Sequence, residues 1–392
     1  MNLPAISVII PMFNAEKYLA ECLTSLLAQS FTNFEVVIVD DCSTDNSVEV
    51  IKSFAPQFGE RLKLVHMKKN SGSAGEPRNK GLKVSLGEYV FFMDADDLLV
   101  RTGLEEMYTL AKKFNADTVY CERYLTSSGD GQEFMRNLHV ADDKVQTIPP
   151  VDVPTLETDD MTVRINKAIK HQYWLTPWLR LVSRNLLIEN EIKFPSLIWS
   201  EDVNWTFKVL FCSKRFLRIP NPCYIWRENA GSLTTNKFTP AQTVSKRMDR
   251  TIRGLKDIDD FMAGLEFFKA NPAYRYLVIK NFIESDFAHI FDACANESMF
   301  DIYNIFREKF GAYLGEHDVL VAGLCTFVNT LQKICRAEER DTDNVQLEEY
   351  KKIRQQDQAY IAELEKFIGQ SQQHIAALED EIRRLKERSG IL

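Results

Sequence analysis

The chain has 392 residues, of which 45% are hydrophobic and 27% charged. That is too apolar for a disordered protein, and at about 150 residues per domain it is long enough for two or three domains. Lys and Arg total 48 against 56 Asp and Glu, a formal charge of −8, which argues against nucleic acid as the main partner.

Residues 5–124 alternate between two periodicities. Short apolar, β-rich runs occur at Ala5–Pro11, Phe34–Asp40, Leu62–Met67, Tyr89–Met93 and Thr118–Tyr124. Helical patterns separate them at Lys17–Gln29, Asp45–Phe54, Ala74–Ser85 and Thr102–Phe114, with apolar residues such as Leu19, Cys22, Leu23, Leu26 and Leu27 on one face. Near-continuous apolar strands that alternate with helices predict an α/β fold: a mostly parallel sheet with helices on both faces. Ligands of such sheets bind beyond the carboxyl ends of the strands. Function is therefore expected at the residues that end each strand.

Residues 125–172 read as an insertion of loops and short elements, with Pro149-Pro150 and an acidic run at Glu157–Asp160. All five tryptophans (Trp174, Trp178, Trp199, Trp205 and Trp226) follow it closely; such a cluster serves either as core or as the wall of a pocket. From about Phe238 the pattern is helical, and no proline follows Pro272. An α-helical domain is expected over 238–340. Ile361, Ile368, Ile375 and Ile382 recur every seventh residue, with Leu364, Leu378 and Leu385 at the matching d positions. That heptad predicts a coiled coil over 345–390 and a homo-oligomer, dimer or trimer. The alternative is an amphipathic helix folded back on its own bundle.

No two of the eight cysteines form a C-x-x-C pair, and the start MNLPAISVIIP lacks the basic region and long apolar core of a secretory signal. No run of about 18 apolar residues predicts a membrane span. A cytoplasmic protein is expected, with peripheral attachment at the inner membrane face left open.

The strand ends carry the chemistry. The first run ends in Pro11-Met12-Phe13-Asn14, the second in Asp40-Asp41-Cys42-Ser43-Thr44-Asp45, where Thr44 or Asp45 can cap the next helix, and the fourth in Asp94-Ala95-Asp96-Asp97. Exposed carboxylates this close repel one another unless a cation lies between them. Hard oxygen donors suit Mg²⁺ or Mn²⁺, which keep waters and bridge phosphates, so Asp94-x-Asp96 points to a metal–diphosphate ligand. Between the acidic clusters lies Asn70-Ser71-Gly72-Ser73-Ala74-Gly75-Glu76-Pro77-Arg78. Its spacing is neither a P-loop nor a dinucleotide fingerprint, yet it lets backbone approach a ligand and presents Arg78 to an anion.

PMFNAEKYL, VIVDDCSTDNS, NSGSAGEPRNKGL and FMDADD, in this order and spacing over residues 5–125, resemble the motifs of family 2 (GT-A fold) nucleotide-sugar glycosyltransferases. TPWLRLVSRNLLIENEIKFP, WSEDVNWTFKVL and CYIWRENAGSLT are similar to the acceptor half of bacterial members that build surface polysaccharides and decorate teichoic acids. The resemblance implies a GT-A catalytic domain over 1–237, with a nucleotide-binding half (1–124) and an acceptor half (125–237). It implies an inverting, metal-dependent transfer from a UDP-sugar to a glycan, glycolipid or polymer hydroxyl. On that resemblance, Pro11 and Phe13 line the base pocket, Asp41 bonds uracil or ribose with Asn70 nearby, and Arg78 neutralises the diphosphate. Asp94 and Ala95 face the ribose or sugar, Asp96 binds Mn²⁺ or Mg²⁺, and Arg227 and Ser232 close on the diphosphate. Asp202 is the expected base that deprotonates the acceptor hydroxyl, with Glu201 supporting acceptor or donor placement. Arg180 stands where relatives often carry Lys. Sugar-phosphate nucleotidyltransferases have a related fold, but their Gly-rich basic loop after the first strand is replaced here by PMFN. A catalytically silent scaffold built around the coiled coil is a third reading, disfavoured by the full set of acidic residues.

Overall fold

A computed structural model describes residues 3–127, 139–140, 151–197, 200–228 and 253–294, with the isolated positions 239, 242, 243 and 247. In chain order the first half contains β1 (Ile6–Met12), α1 (Glu16–Leu27), β2 (Phe34–Asp40), α2 (Ser47–Phe58), β3 (Leu62–His66), α3 (Gly75–Val84), β4 (Tyr89–Phe92), β5 (Leu98–Leu99), α4 (Gly103–Phe114) and β6 (Thr118–Cys121). Each expected strand and helix of residues 5–124 is present, with ends shifted by a few residues. Then come β7 (Leu125–Ser127), β8 (His139–Val140), β9 (Thr155–Leu156), α5 (Met161–Ile169), β10 (Arg180–Ser183), α6 (Arg184–Glu189), α7 (Glu201–Cys212), β11 (Phe216–Ile219) and β12 (Tyr224–Arg227).

The main sheet has the order β3-β2-β1-β4-β10-β6-β11-β9. Strands β3, β2, β1 and β4 are parallel, and β6 and β11 run the same way. β10 is wedged antiparallel between β4 and β6, and β9 closes the edge antiparallel to β11. The sequence pattern does not announce β10, because RLVS is only four residues long and is followed at once by a helix. A second sheet, β5-β12-β7-β8, stands beside the first.

The two-residue period of β1 sorts its side chains. Ile6, Val8, Ile10 and Met12 enter one core with Leu19, Leu23 and Leu26 of α1, Ile51 of α2, and Leu104 and Met107 of α4. Ile9 enters the opposite core with Val37, Val39, Val90 and Phe92, beneath Leu82 of α3, Leu187 of α6 and Trp205 and Val209 of α7. Helices therefore cover both faces, as expected. Trp205 is wholly buried and stacks on Phe194 at 4.9 Å, while Trp178 stacks on Tyr224 at 4.6 Å, half-buried beside the site described below. The tryptophan cluster thus divides between core and wall, and Trp199 lies outside the described residues.

Three further helices, α8 (Leu255–Gly264), α9 (Glu266–Ala270) and α10 (Pro272–Cys294), belong to the region expected to form a separate helical domain. Their apolar faces join the core around α7: Phe268 meets Phe211 at 4.8 Å, Phe282 meets Phe207 at 5.1 Å, and Ile258, Met262 and Val278 are fully buried. Asp257 takes bonds from Asn204 (2.9 Å) and Lys208 (2.7 Å) of α7. The rest of that region and the expected coiled coil at 345–390 lie outside the described residues. Among the described residues no helix is long and apolar enough to cross a membrane, and Cys22, Cys42, Cys121, Cys212 and Cys223 are free.

Gly81 seats α3 against the sheet. A Cβ there would lie 2.3 Å from Ile9 Cγ2 and 3.3 Å from Val39 Cγ2, so backbone approaches strand where any side chain would collide. Gly81→Ala is expected to cost roughly 1–3 kcal/mol in overpacking, more than the ~1 kcal/mol gained in helix propensity. A lowered denaturant midpoint checks this; a raised one would mean that the sheet yields at Ile9.

Candidate active site

The loops after β1 and β2 hold each other. Asn14, in the left-handed region at φ 50°, accepts from the Thr44 amide (2.8 Å), and its own amide donates to Ser43 Oγ (3.0 Å). Glu16, at the start of α1, takes the Asn46 amide and side chain at 2.8 Å, just before α2. Asp45 in turn takes the amides of Glu16 and Ser47 at 3.0 Å. Each carboxylate therefore caps the neighbouring helix, and Asp45 also caps its own. Partial burial opposes ionisation of Asp45, but bonds from Ser47 and the Glu16 amide draw its pKa below the ordinary value. Phe13, just after β1, is 51% exposed, a bare ring at the ligand end of the sheet, and Pro11 beside it is half-buried.

Asp41 is buried, and both of its oxygens accept the Ser71 amide at 3.0 Å, with Ser71 Oγ adding a bond of 2.8 Å. Asn70 Nδ2 donates to the Asp41 carbonyl at 2.9 Å. The expected partners Asp41 and Asn70 are thus brought together, joined by Ser71, for which the sequence suggested no role.

Arg78 lies in the first turn of α3, buried, with Nη2 on Asp94 Oδ1 at 2.7 Å and Nη1 on Glu201 Oε1 at 3.1 Å. Its guanidinium sits over the Phe194 ring at 5.3 Å. Burial disfavours its charge, but Asp94 and Glu201 outweigh this and hold its pKa above the ordinary value. Neighbouring residues of α3 fix the approach of the segment that leads into α7. Asn79 exchanges two bonds of 2.9 Å with the Phe194 backbone, and Glu76 bonds Ser196. A Cβ on Gly75 would meet Glu201 Cγ at 3.0 Å, so the glycine lets the N-termini of α3 and α7 touch.

Asp94, Ala95, Asp96 and Asp97 form a turn closed by the Asp97 amide on the Asp94 carbonyl at 3.2 Å. Asp97, only 1% exposed, accepts the Arg227 amide (2.8 Å) and the Tyr224 hydroxyl (2.7 Å). Burial first, then the charges of Asp96 and Asp94, push its pKa well up against those two donors. The Tyr224 hydroxyl also accepts the Asp94 amide at 3.1 Å. Arg227, expected to close on a diphosphate, is buried here. Its guanidinium pairs with Glu21 of α1 and lies over Tyr18 at 5.1 Å. Ser232 lies outside the described residues.

Ser200 precedes α7 at φ 58°, a left-handed conformation that is uncommon for serine. Glu201 and Asp202 then occupy the first helical turn, where the dipole favours negative charge. Glu201 is buried, and its pKa is pushed up to about 7 by burial and by Asp202, with Arg78 opposing. Asp202 is half-buried. Arg180 is fully buried under the Trp174–Thr176 loop, donating to the Trp174 carbonyl at 2.5 Å and to that of Thr176. Burial lowers its pKa to about 10.

Among the described residues no three or more His, Cys, Asp or Glu side chains are placed to cage a metal. Asp94 is bonded to Arg78, and Asp97 is buried with two donors. Asp96 is half-buried at the third position of the turn. One carboxylate, completed by phosphate oxygens and water, is a donor set that Mg²⁺ and Mn²⁺ accept. The residues fit a cation that bridges to substrate and do not fit an all-protein site.

The family model described as glycosyl transferase family 2 matches residues 7–175. The poly(ribitol-phosphate) β-N-acetylglucosaminyltransferase TarP of Staphylococcus aureus is 30% identical over 246 residues, 60% of this chain and 68% of that one. The chain belongs to glycosyl transferase family 2. A second relative of this family 2 chain, the glycosyltransferase GlyG of Streptococcus pneumoniae, is 28% identical over 233 residues, 59% of this chain and 74% of the other. The fold is shared with the crystal structure of residues 1–349 of S. aureus TarS in complex with UDP-GlcNAc. The TM-score is 0.56 at 22% identity, covering 78% of this chain and 81% of that one.

Asp97, Tyr224, Ser71 and Asn79 were not singled out from the sequence, although all four stand within its quoted motifs. A carboxyl whose folded pKa lies near 7 against an ordinary 4.5 holds more protons folded than unfolded, so its stabilisation is complete below pH 4.5 and is lost as pH rises through 7. Glu201→Gln is therefore expected to flatten the fall in melting temperature between pH 5 and 8. An unchanged slope would assign that fall to other groups.

Proposed function

We propose that this family 2 glycosyltransferase moves a sugar from a UDP-sugar to a hydroxyl of a surface glycan, glycolipid or polymer, with inversion at the anomeric carbon. The observation that carries the reading is the convergence of Asp94, Arg78 and Glu201, bonded at 2.7 and 3.1 Å, with Asp96 two residues after Asp94 and Asp202 next to Glu201 in sequence. The TarS crystal named above contains UDP-GlcNAc, and TarP is named for N-acetylglucosaminyl transfer to poly(ribitol phosphate). Both names support a UDP-sugar donor and a polyhydroxyl polymer acceptor.

In the proposed reaction the Asp202 carboxylate takes the proton of the acceptor hydroxyl as its oxygen attacks the anomeric carbon. The bond from that carbon to the diphosphate breaks, and its electron pair leaves with UDP. A single base with in-line attack inverts the centre, and no carboxylate acts as a covalent nucleophile. Phe13 offers its exposed ring to the base, and the Asp41–Ser71–Asn70 group sits where uracil or ribose is recognised. Arg78 fixes Asp94 and Glu201 and places a positive charge beside the leaving group. Mn²⁺ or Mg²⁺ held through Asp96 supplies Lewis-acid compensation of the diphosphate charge when bound. Arg227 and Ser232 complete the diphosphate side in this proposal. Oligomerisation through 345–390, a cytoplasmic setting and peripheral membrane attachment also belong to it.

UDP release from a panel of UDP-sugars, with Mn²⁺ and poly(ribitol phosphate), tests the reaction class. Pyrophosphate release in place of UDP would sink it. Asp202→Asn is expected to lower turnover by about 10²–10⁴-fold with UDP affinity kept within about twofold, and undiminished turnover would remove Asp202 from the role of base.

A further inference from the structure

Three carboxylates lie within the four residues Asp94–Asp97, and their mutual repulsion works to open the turn. The backbone closes it with a single bond of 3.2 Å, which is long for an amide donor. The Tyr224 hydroxyl adds a second closure, donating to Asp97 Oδ2 at 2.7 Å while accepting the Asp94 amide at 3.1 Å. One oxygen atom on a neighbouring strand thus ties together the two ends of the loop that carries Ala95 and Asp96.

Tyr224 is itself firmly held. Its ring is fully buried, stacked on Trp178 at 4.6 Å and 23°, and lies 6.2 Å from Phe91 of β4. Three residues further along β12, the Arg227 amide takes the other Asp97 oxygen at 2.8 Å. Both oxygens of Asp97 therefore serve β12, and Asp97 is a tether for the turn. The path from Trp178 through Tyr224 to Asp97 runs from the wall of the acceptor half to the donor motif.

We propose that Tyr224 is a positioning residue for this turn, and that its hydroxyl sets the geometry in which Asp96 meets a divalent cation on a nucleoside diphosphate. The proposal rests on the reading of the site as one for a UDP-sugar. Phenylalanine at 224 would keep the ring and its stack and remove only the bridging oxygen. Asp97 and the Asp94 amide would each lose a partner while the core packing stays intact.

The test is calorimetry of UDP binding to the full chain, with and without Mn²⁺, together with Mn²⁺ binding followed by electron paramagnetic resonance. In Tyr224→Phe, the gain in UDP affinity that Mn²⁺ confers is expected to fall about tenfold or more, with metal-free UDP affinity within about twofold of wild type. A purely structural role would lower the melting temperature and leave the Mn²⁺ gain intact, and that result overturns the proposal. Asp97→Asn, which keeps the size but replaces one of the two accepting oxygens with an amide donor so that the Tyr224 hydroxyl and the Arg227 amide cannot both be accepted, is expected to show the same loss and serves if Tyr224→Phe does not fold; a full Mn²⁺ gain in Asp97→Asn also overturns it. If wild type binds UDP with no Mn²⁺ gain, the metal reading of the site fails and the proposal falls with it, an outcome distinguished by its appearance before any substitution.

Discussion

One buried guanidinium shared by two carboxylates joins three elements of this site. Arg78 comes from α3, Asp94 from just after β4, and Glu201 from the first turn of α7. Moving such charges out of water is costly, and the cost is offset only where geometry is good and each group keeps its partners. The planar fork of arginine meets that demand, since it offers a separate nitrogen to each acid. Gly75 and the Asn79–Phe194 backbone exchange bring the two helix N-termini close enough for the fork to reach both.

The site gathers further acids. Asp96 and Asp97 follow Asp94, Asp202 follows Glu201, and Arg227 pairs with Glu21. Burial first, and the neighbouring carboxylates second, raise the pKa of Asp97 and Glu201. Under the proposed function, a cation that arrives with the diphosphate would lessen this repulsion as it binds.

The sheet was readable from residues 5–124 because each strand is a nearly continuous apolar run and each helix repeats its apolar face. Asp41, Asp94 and Asp96 stood out as candidates because they follow those strands, whereas Glu201 and Asp202, in the first turn of a helix, drew notice only through the family resemblance. The pairing of Arg78 was not, since its partners lie 16 and 123 positions away and the motif alone suggested a ligand anion. Tyr224 was hidden for a related reason: CYIWR reads as an ordinary β-run, and only the register of β12 against β5 brings its hydroxyl beneath the turn. The antiparallel β10 escaped notice through brevity. The described part of the helical region merged with the core because Phe268 and Phe282 seek the aromatic face of α7, a choice invisible to periodicity.

The crossed caps at Glu16 and Asp45 have a consequence for recognition. Because each loop terminates the other's helix, neither can be remodelled without unmaking a helix start. Under the proposed function, a base that settles on Phe13 therefore meets a rim already in its final shape. Little ordering entropy is surrendered at that moment, and the contacts formed there appear almost undiminished as affinity.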